Sequence, residues 1–221
     1  MPKPLQVAAV RWNACGALSY RLHGDKWRAA RGIGRLVEPD GGFVYRYVDG
    51  LLDGGDDDAP AIDGGEASRE WWGAGRRHRD GDRPARRRQR LVKNGEAIEV
   101  EESYFRRGLL HRDGDLPAIC VTLHWHGATP SAVVTVRAAQ WFVQGRRHRD
   151  GDRPAYLRLA SNGACKAFQY SREGKLHRLS PRHDGKRRVA RIDVDANFGS
   201  FYRFGELQGE FELVPSERAS E

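Results

Sequence analysis

The chain has 221 residues, 39% hydrophobic and 10% aromatic, which is enough apolar surface to bury a core and excludes a wholly disordered polymer. Its formal net charge is +8, and only six of its 38 basic residues are lysine, so the basicity is almost entirely guanidinium. Twenty-six glycines suit many tight turns and suit long helices poorly, while Cys15, Cys120 and Cys165 are too few and too widely spaced for a disulfide framework or a zinc site and fit a reducing compartment.

The N-terminal stretch carries one lysine and no long apolar run, so no signal peptide is expected. No apolar stretch reaches the roughly 20 residues of a membrane span, and a soluble intracellular protein is the expectation. Residues 1–40 share no motif with the rest of the chain and read as a capping segment. Within them Trp27, Ala29, Ala30 and Ile33 have helix-compatible spacing, but Gly32 and Gly34 interrupt it, so at most one short helix is expected. Phe43, Tyr45 and Tyr47 then alternate with period two, the pattern of a half-buried strand.

From there the chain repeats itself, and internal repetition decides the fold before any local reading does. Gly-Arg-Arg-His-Arg-Asp-Gly-Asp-Arg-Pro-Ala occupies residues 75–85 and recurs unchanged at 145–155. A close copy, Gly-Leu-Leu-His-Arg-Asp-Gly-Asp-Leu-Pro-Ala, lies at 108–118, and a fourth at 174–181 keeps Gly-Lys-Leu-His-Arg and loses Asp-Gly-Asp. Aromatic residues precede each copy: Trp71-Trp72, Tyr104-Phe105, Trp141-Phe142, and Phe168 with Tyr170. Residues 50–62 read as a decayed unit without its His-Arg, and 201–207 repeats the opening alone. Atypical end units are expected, because a terminal unit presents one face to water.

Turn signals at Asp63-Gly64, Asn94-Gly95 and Asn162-Gly163 separate alternating segments. Ile119, Val121, Leu123 and Trp125 share one strand face; Ile192 with Val194, and Phe211 with Leu213, alternate with acidic residues. The motif histidines stand 33, 37 and 29 residues apart, which suits hairpins with loops of unequal length better than a tightly wound solenoid. The sequence therefore predicts an all-β fold: an elongated, twisted antiparallel sheet of tandem β-hairpin repeats with a short N-terminal cap. Residues 1–40 form the cap, 41–214 the array and 215–221 a frayed tail.

The string aromatic-aromatic-x-x-Gly-x-Leu-His-Arg-Asp-Gly-Asp-x-Pro-Ala resembles the variant MORN-type repeats common in proteins of large DNA viruses of amoebae. The resemblance covers about residues 50–207. It implies stacked antiparallel hairpins without assigned catalytic residues, and protein interaction or membrane-lipid contact as proposed roles. It further implies a virus-encoded protein acting in the host cytoplasm or packaged in the virion. Uneven unit lengths, Arg-rich variable positions and the unrelated N-terminal segment depart from the family pattern.

The repeated His-x-Asp-x-Asp sets are His78, Asp80 and Asp82; His111, Asp113 and Asp115; His148, Asp150 and Asp152. On an extended strand each set would share one face and could hold a divalent metal. Asp-Gly instead calls for a turn whose Asp bonds nearby backbone N–H groups, with the histidines, His177 included, tying one unit to the next. The turn reading explains the same residues without a ligand, and no metal, cofactor or catalytic residue is expected. His-Arg-Asp also occurs in kinase catalytic loops, but here it is tripled and lacks the downstream Asn and the Asp-Phe-Gly. In each aromatic pair one ring should face the core and its neighbour the opposite side.

Arg86, Arg87, Arg88 and Arg90, and separately Lys186, Arg187 and Arg188, are the dense basic runs where an anionic partner would dock. The acidic stretch 53–58 is a candidate to pair with an Arg face, in the same molecule or in a second copy. The function expected is that of a structural or protein-interaction scaffold without catalytic activity. Open sheet edges offer a route to a homodimer. Nucleic-acid binding through the Arg-rich face is the alternative.

Overall fold

The computed structural model describes residues 3–39, 42–55, 57–125, 134–178, 189–203 and 205–212. Alternating aromatic and β-branched residues pair as a meander, and one 15-stranded sheet runs the length of the chain in sequence order. Its pairs are antiparallel except the first, where Leu5–Gln6 lies parallel to the strand Gly34–Val37. Four strands of seven residues, Arg86–Val92, Ala97–Ser103, Ile119–Trp125 and Val134–Gln140, form its centre, and a fifth, Glu206–Glu212, ends it. Among the described residues there is no α-helix, and none long and apolar enough to cross a membrane.

The short helix allowed for residues 25–36 is absent. That segment forms strand Arg28–Ala29, a turn, and strand Gly34–Val37. Gly32 sits at φ +65, a left-handed conformation that ends any right-handed turn begun before it.

Asn94 (φ 54, ψ 31) and Gly95 (φ 92) take the two central positions of a type I′ turn, closed by the Glu96 N–H donating to the Lys93 carbonyl at 3.1 Å. At Asn162-Gly163 the turn is different. The Gly163 N–H donates to the Ala160 carbonyl at 3.0 Å, the Ala160 N–H donates to the Ala164 carbonyl at 2.8 Å, and only Gly163 is left-handed. That is a three-residue loop with a glycine bulge.

A second column of structure stands beside the main sheet. After the first aromatic of each pair, the chain leaves the sheet and folds a hairpin of two-residue strands: Trp72–Gly73 with Arg76–Arg77, Phe105–Arg106 with Leu109–Leu110, Phe142–Val143 with Arg146–Arg147, and Ser171–Arg172 with Lys175–Leu176. Each turns on two left-handed residues: Ala74-Gly75, Arg107-Gly108, Gln144-Gly145 and Glu173-Gly174. The turn glycine then donates its N–H to the hairpin before it: Gly108 to Arg77 at 2.8 Å, Gly145 to Leu110 at 2.8 Å and Gly174 to Arg147 at 2.9 Å. Gly75 opens this series on Leu52 and Gly205 closes it on Leu176, so the decayed unit at 50–62 and the partial one at 201–207 belong to the same stack.

The largest apolar cluster lies at the N-terminal end, where Val7, Leu18, Ala30 and Leu36 pack with Tyr45, Leu52, Ile62 and Trp72. Farther along the array the interior is thin. Each repeat contributes its first aromatic ring and a fully buried alanine: Ala85, Ala118 and Ala155 are 0% exposed. Tyr104 and Trp141 are buried while their neighbours Phe105 and Phe142 are half-buried; Trp71 and Trp72 are both buried, Trp71 beneath a guanidinium and Trp72 on the N-terminal cluster. Both faces are covered there.

Candidate functional site

Each repeated loop begins where the side hairpin returns to the sheet. The histidine N–H donates to the carbonyl of the unit's first aromatic residue, as His111 does to Tyr104 at 3.0 Å, and that aromatic's own N–H donates to the buried alanine, Tyr104 to Ala118 at 2.8 Å. The loop between them is pinched at its two ends. Its middle glycine, Gly81, Gly114 or Gly151, is left-handed, as the Asp-Gly sequence requires.

Within this frame the two aspartates of the motif face different units. Asp80, Asp113 and Asp150 accept from Nε2 of their own histidines, His78, His111 and His148, at 3.1, 3.0 and 3.0 Å. The second aspartates instead reach the following unit. Asp82 is gripped by both arms of Arg112 at 2.6 and 2.7 Å, and Asp115 by Arg149 at the same distances. Asp152 takes Arg178 at 2.8 and 3.3 Å, and the decayed unit supplies Asp58 to Arg79 at 3.0 and 2.8 Å.

These four arginines do three things at once. Each guanidinium lies over the first aromatic ring of its own unit: Arg79 over Trp71, Arg112 over Tyr104, Arg149 over Trp141 and Arg178 over Tyr170, at 3.7 to 4.1 Å from the ring centre. Three of them also donate to their unit's proline carbonyl, and Arg178 donates to Val189. Ring stacking, a planar fork on a carboxylate and a third hydrogen bond are geometry that lysine does not reproduce. The forked bonds from Arg79, Arg112 and Arg149 hold the Asp58, Asp82 and Asp115 carboxyls below the usual carboxylate range.

The histidines join units through the other ring nitrogen. The N–H of the residue before the next hairpin's turn glycine points at Nδ1: Arg107 at His78 (3.5 Å), Gln144 at His111 (3.3 Å) and Glu173 at His148 (3.1 Å). A nitrogen that accepts a backbone N–H carries no proton, so in His111 and His148 the imidazole proton sits on Nε2, facing the aspartate; His78 Nδ1 also stands 3.4 Å from the Phe105 carbonyl. In the decayed unit Asp53 stands in the histidine's place and accepts from the Ala74 N–H at 2.7 Å. His177 is buried, with its N–H on Tyr170 at 2.9 Å. Both ring nitrogens of the three motif histidines are thus engaged in structure, and among the described residues no cluster of three or more His, Cys, Asp or Glu side chains has the arrangement to hold a metal ion.

The basic run 86–90 is a central strand of the sheet, and its charges meet glutamates. Arg86 lies 3.4 Å from Glu101, Arg87 3.6 Å from Glu102, Arg88 3.6 Å from Glu70 and Arg90 2.5 Å from Glu99. Burial pushes the Arg86 guanidinium below its ordinary value. Lys186, Arg187 and Arg188 lie outside the described residues, as does the tail 215–221. Sequence reasoning missed the arginine ladder and Glu70, a buried carboxylate that holds Arg77 at 2.9 Å and the Trp72 indole N–H at 3.2 Å.

Between successive loops the surface opens into grooves. One, about 500 Å³, lies between the loops of the first two full repeats, floored by Tyr104 and Phe105 and edged by Arg83, Arg106 and Leu116. A second of about 230 Å³ lies one unit on, bounded by Leu116, Phe142, Val143 and Arg153. Compared with family models, with curated proteins and with solved structures, the chain gives no match.

Proposed function

We propose that this chain is a non-catalytic scaffold of MORN-like hairpin repeats whose grooved loop edge binds a protein partner. The observation that carries the reading is the occupation of the motif itself. Every repeated polar group bonds the next unit or its own loop, which leaves no nucleophile–base pair or free histidine nitrogen in the three strong repeats. What varies from unit to unit is the rim of the grooves: Arg83, Leu116 and Arg153 occupy the same repeat position. Leu116 is 46% exposed between two grooves, the kind of apolar rim residue that a partner buries.

Two substitutions separate structure from recognition. His111→Ala should lower the melting temperature, because it strips the Gln144 N–H of its acceptor. Leu116→Asp should leave melting unchanged and abolish capture of the partner on immobilised protein. Unchanged melting in the first variant, or undiminished capture in the second, removes the corresponding half of the proposal.

A further inference from the structure

Among the described residues, surplus positive charge collects away from the basic run 86–90. In a two-residue hairpin, directly opposed residues share a face. One face of each side hairpin is buried or half-buried, with Trp72, Phe105, Phe142 and Ser171 on it; the other faces water. On that outer face stand the opposed pairs Gly73 and Arg76, Arg106 and Leu109, Val143 and Arg146, and Arg172 and Lys175. The hairpins stack so that a Cβ built on Gly108 would meet Arg76 at 3.7 Å, one on Gly145 would meet Leu109, and one on Gly174 would meet Arg146 at 3.8 Å. The outer positions therefore form one continuous row.

Every rung of the row carries at least one cation, and Arg107 adds another at a turn tip. All are exposed. Arg106 is tied to Asp113, but among the described residues Arg76, Arg107, Arg146, Arg172 and Lys175 have no carboxylate at ion-pair distance. The acidic neighbours of the row are that Asp113, Glu173 at the fourth turn and Glu206, which closes the row beyond Gly205. The Arg86–Val92 strand has no comparable surplus, since its charges are matched by glutamates.

We propose that this row is a binding strip for the phosphate backbone of a nucleic acid. Each unit adds two strands to the main sheet, so at roughly 4.8 Å per strand the rungs repeat about every 10 Å. Nucleic-acid phosphates advance about 3.4 Å per residue along one stacked strand, so every third phosphate meets a rung. Arginine forks suit phosphate oxygens, and the flat outer face admits a backbone without a pocket. Leu109 and Val143, 51% and 42% exposed, lie between the cations where sugars would rest. The strip borders the grooved loop edge and shares Arg106 and Val143 with it, but the four cations replaced in the test below line neither groove described above, so the two proposals can fail separately.

The test is fluorescence anisotropy with labelled DNA of about 30 nucleotides, single-stranded and duplex, titrated from about 50 to 200 mM salt. Wild type should bind at low salt and weaken steeply as salt rises. The variant Arg76→Gln, Arg146→Gln, Arg172→Gln, Lys175→Gln should lower the log–log salt slope by about 3.6 on duplex and about 2.8 on single-stranded DNA, shrinking the salt-driven loss over that range roughly 150-fold and roughly 50-fold. A control of equal charge change, Lys3→Gln, Lys26→Gln, Arg31→Gln, Lys93→Gln, should keep the wild-type slope. Melting curves establish that both variants fold; if the first does not, Arg146→Gln with Lys175→Gln carries the same test at half the slope change. No binding of either DNA at low salt, or an equal change in the control, overturns the proposal. So does displacement of DNA by poly-glutamate at equal charge concentration, which would assign the strip to acidic proteins.

Discussion

Asp82 and Arg112 show how one repeat holds the next. The pair is partly exposed, so its Coulomb energy alone is small. Its worth comes from the stacked ring and the carbonyl that share the same guanidinium. A carboxyl whose pKa is lower folded than unfolded stabilises the protein fully above the unfolded value, about 3.9, and that contribution is lost as pH falls through the folded value. Asp58, Asp82 and Asp115 are all held low in this way. The melting temperature should therefore drop on acidification below about pH 4. Asp82→Asn should cost roughly 1 kcal/mol at neutral pH and make the acid limb shallower; melting curves that stay parallel to wild type at every pH would show that the pair does not titrate as described. That Asp-Gly forms a turn was legible in the sequence, since Gly takes the left-handed conformation there; the aspartates' partners, histidine and arginine side chains where backbone N–H groups were expected, were not. Nor was the arginine's role. Its carboxylate lies 30, 34 or 26 residues back, depending on the intervening hairpin, so no fixed spacing marks the pair.

The same contrast holds for whole elements. Alternation in Phe43, Tyr45 and Tyr47 marks the strand Val44–Val48, and Asn94-Gly95 marks its type I′ turn. The side hairpins escaped notice for two reasons. Two-residue strands are too short to show a period, and their turns put Ala74, Arg107, Gln144 or Glu173 where Asn or Asp would have advertised them. The basic run 86–90 read as surface charge because its glutamates sit on the next strand, visible only once the register is known. Glycine at the first side hairpin does more than turn the chain. A Cβ on Gly75 would fall on the Cys15 carbonyl oxygen, whereas one on Gly114, at similar φ, would meet nothing within 4 Å. Gly114→Ala should cost about 1 kcal/mol of left-handed strain. Gly75→Ala should cost clearly more, since the backbone of the N-terminal segment must move. Equal losses in denaturant titration would mean that this close approach is not maintained in solution.

At the scale of the molecule, each unit touches its neighbours and little else, while the apolar mass is concentrated at the N-terminal end. Deleting residues 108–144 joins Arg107 to Gly145, two residues that already occupy consecutive places in equivalent turns. Gly145 then meets Arg77, and Arg149 meets Asp82, as Gly108 and Arg112 did. The shortened chain should fold cooperatively with a β-type circular dichroism spectrum. An insoluble or unstructured product would mean that the sheet closes as a single indivisible domain. The meander order of this architecture could be read from the repeats alone; the second column could not, because it depends on backbone bonds between hairpins that no side-chain pattern records.

The backward reach of Arg79, Arg112, Arg149 and Arg178 gives the array a direction in time as well as in space. A growing polypeptide leaves the ribosome N-terminus first, so every acceptor aspartate has emerged before the guanidinium that clasps it. The apolar N-terminal cluster is likewise built from the earliest residues to appear. Each newly synthesised repeat can settle on a finished platform and never has to wait for sequence still in the tunnel.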